Sequence, residues 1–107
     1  MTGFDFHPEA LADLDEIWDF IAVDNLEAAD RVVEDILAAV RALVPLPGQG
    51  HQRADLTPRP LRFWLVREYL IAYAHDEKPL WVIAVIQARR SPRIIAAILQ
   101  DRGLKPV

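Results

Sequence analysis

The hydrophobic period of this chain changes once, and that change divides it into a helical half and a sheet half. Between residues 9 and 43 apolar side chains recur at steps of three and four; between 61 and 88 they alternate or run together in short β-branched and aromatic blocks. A helix brings residues three and four apart onto one face, whereas a strand sends neighbours to opposite faces, so one type of element cannot serve both halves. The boundary is P-L-P-G-Q-G-H-Q-R-A-D-L-T-P-R-P, residues 45–60, whose prolines and glycines leave little room for regular structure.

Within the first half, G-F-D-F-H at residues 3–7 alternates Phe4 and Phe6 against Asp5 and is expected as a short strand, with Pro8 opening a helix. Leu11, Leu14, Trp18 and Ile21 form the expected stripe of a helix from Glu9 to Ala22, with Asp13, Asp15, Glu16 and Asp19 mostly off it on a solvated side. Asp24 and Glu27 have capping-box spacing, Asn25 competes as cap, and a second helix carries Ala29, Val32, Val33, Ile36, Val40 and Leu43 until Pro45 and Pro47 stop it. So short a connection implies an antiparallel helical hairpin. In the second half, Leu61–Val66, Tyr69–His75 and Leu80–Ala88 are expected strands separated by short turns. The third of these is apolar on both faces and therefore central. Pro92 then opens a short C-terminal helix. The order β-α-α-β-β-β-(α) describes one α+β domain over residues 1–107, a helical hairpin packed on a small, mainly antiparallel sheet. The place of the first strand in that sheet does not follow from the pattern.

Arg62, Trp64 and Val66 fall on one face of their strand, Phe63 and Leu65 on the other. Both sets contain large apolar groups, and one helical hairpin covers one face only, so the C-terminal helix or a partner chain is expected on the second.

Charge is distributed as unevenly as period. Residues 1–50 hold eleven acids and two bases, residues 51–107 five acids and ten bases, giving −9 and +5 within a net charge of −4. Such a split suggests an acidic and a basic face, and disfavours uniform nucleic-acid binding, which draws on dense Lys and Arg. No apolar run approaches the roughly 20 residues of a membrane span. The opening MTGFDFHPEAL lacks the basic stretch and apolar block of a signal peptide and is expected to be mature sequence of a cytoplasmic protein. Cysteine is absent, which removes disulfides, thiol nucleophiles and thiolate metal sites.

His7, His51 and His75 lie far apart without metal-ligand spacing, and no nucleophile elbow, phosphate-cradling loop or dinucleotide fingerprint occurs. No cofactor, metal or catalytic set is therefore expected. What stands out is Q-A-R-R-S-P-R, residues 87–93, which puts Arg89, Arg90 and Arg93 directly after the central strand. Guanidinium groups held at a sheet rim suit forked contacts with carboxylates or phosphates. The competing reading, above all for Arg90, is an internal salt bridge to the acidic helices.

Taken in succession, these segments resemble the ParE-type toxins of the ParE/RelE superfamily. A-D-L-D-E-I-W-D-F-I-A at 12–22 is similar to the first helix of those plasmid-stabilisation toxins, and N-L-E-A-A-D-R-V-V-E-D-I at 25–36 to the second. Pro47-Gly48-Gln49-Gly50 matches the stop that follows, and L-R-F-W-L-V-R-E-Y-L-I-A-Y resembles the family hairpin through Arg62, Tyr69 and Tyr73. The resemblance implies a toxin of a type II toxin–antitoxin pair, neutralised by a cognate antitoxin that also carries operator-DNA binding, with DNA gyrase as target. It points to Arg62, Arg89, Arg90 and Arg93 as target or antitoxin contacts, and to Trp18, Trp64 and Tyr73 as candidates for an antitoxin groove. The alternatives are a ribosome-dependent messenger-RNA endoribonuclease of the RelE type and a degenerate toxin kept as an antitoxin-binding co-repressor. Where the family often has His-Gly before its arginine, this chain has Gln87-Ala88. Acid–base cleavage needs a proton-transfer group, so that departure favours a binding toxin over a nuclease.

Overall fold

A computed structural model describes residues 3–103. Strand β1 (Phe4–Phe6) leads through Pro8 into helix α1 (Pro8–Ala22), and α2 (Leu26–Leu43) returns antiparallel to it. A 3-10 turn at Pro47–Gln49 interrupts the long loop, followed by β2 (Leu61–Val66), β3 (Tyr69–Ala74), β4 (Leu80–Gln87) and α3 (Pro92–Asp101). The expected α+β architecture is present, each element within a residue or two of its expected bounds.

Caps set the helix starts. His7 accepts the Glu9 N–H at 3.0 Å through Nδ1, Asn25 accepts that of Ala28 at 3.0 Å, and Ser91 that of Ile94 at 3.3 Å. Asn25, one residue after the expected Asp24, is therefore the cap of α2. In α2 the buried stripe is Ala29, Val32, Ile36, Val40 and Leu43, as its period implies. In α1 the stripe is rotated: Ala10, Leu14 and Ile17 are buried, while Leu11 is half exposed and Trp18 half-buried. Ala10, 0% exposed, belongs to the core under the helical hairpin together with Leu14 and Ile17.

The sheet order is β1-β4-β3-β2, with β4 antiparallel to β3 and parallel to β1. The chain thus returns through both helices and the β2–β3 hairpin to place its last strand beside its first. Two cores result, one per face. Leu14, Ile36, Val40, Ile71, Tyr73 and Val82 pack under the helical hairpin; Phe63, Leu70, Trp81, Ile83, Ile95 and Leu99 pack under α3 and the loop residue Leu56. Each fully buried aliphatic or aromatic side chain contributes about 1.5–3 kcal/mol relative to exposure. The helix α3 supplies the second cover that the two-faced apolar pattern of β2 demands, yet Leu65 on that face stays 58% exposed.

Strand β4 carries a bulge. Ala72 faces Ala84 and Tyr73 faces Val82, so Ile83 is an extra residue. Its effect is visible in the cores: Val82 belongs to the hairpin side, Ile83 and Ala84 both to the α3 side, and Val85 to the hairpin side again. The bulge therefore switches which residues of β4 turn their backbone groups toward β1's side.

Candidate functional site

Where β1 ends, half of β4 is left without a strand beside it, and that exposed half organises the site. His7 N–H still donates to Val82 O at 2.8 Å, after which the chain departs into α1. Beyond it, side chains replace the missing strand. Asp13 Oδ2 accepts the Val85 N–H at 2.9 Å, and Arg102 Nη1 donates to Ile83 O at 3.0 Å. Asp13 and Arg102 also bind each other, Nη1 to Oδ2 at 2.6 Å and Nη2 to Oδ1 at 2.9 Å, with side-chain exposures of 15% and 10%. The Asp13 hydrogen bonds raise the Arg102 guanidinium pKa against the opposing effect of burial. Asp13 thus departs from the expected solvated face: it is a pinned, half-buried carboxylate. Arg59 closes the same corner, Nη1 donating to Leu99 O at 3.0 Å and Arg102 O at 2.9 Å, the free carbonyls at the end of α3.

A groove of about 600 Å³ runs over this open edge. One wall is the stripe Glu9, Glu16 and Phe20 of α1; the other is the end of β4 with Arg89 and Arg90; Arg102 and Ile98 close it from α3. A second groove of about 400 Å³ lies on the α3 face, between His51, Arg53, Leu65, Leu70, Pro92 and Arg90. Arg90 borders both. Arg53 is engaged by Asp55 through bonds of 2.9 and 2.8 Å, which hold that carboxyl below the ordinary carboxylate range.

The sequence-derived candidates divide into two groups. Arg89, Arg90 and Arg93 are exposed at the rim, and among the described residues none forms a salt bridge, Arg90 included. Among the described residues the bridges between halves are instead Arg67 to Asp35 at 2.7 Å, Arg102 to Asp13 at 2.6 Å and, more loosely, Arg102 to Glu9 at 3.8 Å. The others serve the scaffold. Tyr73 is 0% exposed; its hydroxyl donates to Pro47 O at 2.6 Å and accepts the Gly50 N–H at 2.9 Å, and burial raises its pKa. Arg62 Nη1 donates to Gly50 O at 2.9 Å, so together they fasten the proline-rich loop to the sheet. Tyr73, buried this way, lines neither of the two grooves. Trp64 is half-buried against the hairpin core, and Trp18 joins the two helices by donating Nε1–H to Asp30 at 2.8 Å. The three aromatic candidates therefore do not converge.

Sequence reasoning passed over Asp13, Arg102, Phe20 and His51. Phe20, 72% exposed, carried a legible signal: it is a large apolar residue off the helical stripe. Asp13 and Arg102 carried none, since their pairing spans the chain. Among the described residues no cluster of three or more His, Cys, Asp or Glu could hold a metal ion, and no helix is long and apolar enough to cross a membrane.

The model of the family "ParE toxin of type II toxin-antitoxin system, parDE" matches residues 4–92. Among solved structures, a chain of the chromosomal ParDE TA system from P. aeruginosa superposes with a TM-score of 0.66 at 22% identity, over 80% of this chain and 95% of that one. A search of curated proteins finds no match.

Proposed function

This chain belongs to the family of ParE toxins of type II toxin–antitoxin systems, and we propose that it arrests growth by binding DNA gyrase and is released from that role by a cognate antitoxin. The observation that carries a binding mode of action is the end of β4. There a rigid strand delivers Arg89 and Arg90, and the first turn of α3 delivers Arg93, to an exposed rim without ion pairs among the described residues. Unpaired guanidinium groups on a fixed scaffold are suited to carboxylates of a protein partner. Gln87 stands where proton transfer would be required of a nuclease. The antitoxin's docking segment turns its acids toward Arg89, Arg90 and Arg93, because Arg53, Arg59, Arg62 and Arg67 are engaged within the fold, and operator DNA is reached only through the antitoxin. Arg62 takes part indirectly, by holding the loop at Gly50.

Purified protein is expected to inhibit gyrase supercoiling in vitro, and its expression without antitoxin to stop growth with transcripts intact. Normal supercoiling at saturating protein would remove gyrase as target. Transcripts cut within translated codons would replace the proposal with ribosome-dependent cleavage.

A further inference from the structure

The surface of this fold carries an apolar knob and an apolar groove, and the charges around them are opposite. The knob is the turn from α1 into α2, where Phe20, Val23 and Leu26 are 72%, 84% and 61% exposed. Large apolar side chains gathered at one place mark a contact surface, whereas scattered ones do not. Asp19, Asp24 and Glu27 are their neighbours in sequence. Among the described residues Asp19 and Asp24 form no salt bridge, and Glu27 meets Arg31 only at 4.0 Å. The groove is that of about 400 Å³ on the α3 face. Its buried lining is Phe63, Leu70 and Ile95, with the exposed Leu65 at its lip. Among the described residues no carboxylate lines it, while His51, Arg53 and Arg90 do. Asp55 engages Arg53, which leaves Arg90 as the guanidinium there without an ion pair among the described residues.

We infer that the free protein associates with a second copy of itself, the acid-flanked apolar tip of one copy's helical hairpin seating in the α3-face groove of the other. The inference stands whatever the toxin's target is, because both halves of the contact are present on this one chain. Val23 and Leu26 line neither groove. The tip belongs to the hairpin on one face of the sheet, and the groove's buried lining to the core on the other, so a copy does not fill its own groove. An apolar side chain of the tip desolvates Leu65 and Leu70, and the unpaired acids beside it meet Arg90 at the rim. That arrangement gives each unpaired charge a partner of opposite sign and keeps like charges apart, since the tip is acidic and the groove basic. Two unlike surfaces thus pair, one from each copy. A contact built from a few side chains lies at the small end of specific interfaces, so the association is weak and dependent on concentration.

Sedimentation equilibrium of the free, full-length protein is the test. Between about 10 μM and about 1 mM protein the weight-average mass is expected to rise by at least about 1.5-fold, and added salt to reverse part of that rise. Val23→Glu combined with Leu26→Glu on the tip, and Leu65→Glu in the groove, are each expected to weaken association by more than about tenfold. The urea midpoint should stay unaltered, because all three replaced side chains are exposed. Phe20 is left in place because it also borders the larger groove. Mixed together, the tip variant and the groove variant are expected to regain a 1:1 dimer, since one keeps its groove and the other its tip. A monomer throughout that concentration range overturns the inference, and if Leu65→Glu then abolishes growth arrest, the groove belongs to the toxin's target instead. Association that survives both variants places the contact elsewhere on the surface and overturns it as well, as does a mixture of the two variants that stays monomeric.

Discussion

Asp13 and Arg102, 89 residues apart in sequence, meet through two hydrogen bonds and together occupy the edge positions that a longer β1 would have filled. Taking such charges out of water is costly, and the mutual bonds plus those to Val85 and Ile83 offset that cost. Removing one partner leaves the other buried and uncompensated. Asp13→Ala is therefore expected to lower stability by about 3–5 kcal/mol, and Arg102→Ala by a similar amount. A joint replacement by Leu at 13 and Met at 102 should cost much less than either. Urea unfolding of these variants beside the Asp13→Ala/Arg102→Ala double checks this; a double loss equal to the sum of the two single Ala losses would show that the pair is not coupled.

That pair also marks where sequence reasoning stops. The helices, the strands and the two-faced character of β2 were legible because periodicity is local, and burial obeys it at Val32, Ile36 and Val40. Pairing of β1 with β4 was not legible, because nothing in F-D-F names a partner more than seventy residues away. The bulge at Ile83 was hidden for a related reason: L-W-V-I-A-V-I is apolar on both faces, so an inserted residue leaves no break in the pattern. The rim arginines were legible as a cluster. Their freedom from the acidic helices was not, since it depends on where α1 and α2 place their carboxylates.

Tyr73 offers a pH-dependent test. Burial raises its pKa above the ordinary 10.0, so its neutral form is favoured in the folded state. The stability it contributes is fully present below the unfolded pKa and is lost as pH rises through the folded one. Unfolding free energy is therefore expected to fall above about pH 10. Tyr73→Phe should remove most of that alkaline decline and cost about 1–3 kcal/mol at neutral pH, since the Gly50 N–H and Pro47 O lose their partner. An alkaline decline equally steep in the Phe variant would assign it to other groups.

Gly50 is required for its size and not for its backbone angle, which is an ordinary φ of −68°. A Cβ there would stand 2.5 Å from the Tyr73 hydroxyl and 2.9 Å from Phe63 O. Gly50→Ala is expected to cost about 1–3 kcal/mol by forcing the loop off the sheet. In a Tyr73→Phe background the nearer clash disappears, so the double variant should lose less than the sum of the two. Strict additivity in thermal or urea unfolding would place the obstruction at Phe63 O, 2.9 Å away, and the ring Cε1 at 3.0 Å, both of which the Phe variant keeps.

The rim arginines should separate affinity from stability. Arg89 and Arg90 make no ion pair among the described residues and are exposed, so reversing both to Glu is expected to shift unfolding free energy by no more than about 0.5 kcal/mol. Arg67, held by Asp35 at 2.7 Å but about half exposed, is the contrasting case: its loss should cost only about 0.2–1 kcal/mol and leave partner binding unchanged. The Arg89 and Arg90 reversal should weaken the antitoxin complex, and the wild-type complex should lose affinity with added salt more steeply than the reversed one, because contacts at an exposed rim are screened. Calorimetric titration at two salt concentrations checks both outcomes. Equal affinity and equal salt slopes would transfer these arginines from the antitoxin to the toxin's target, where the same pair can be tested against gyrase supercoiling.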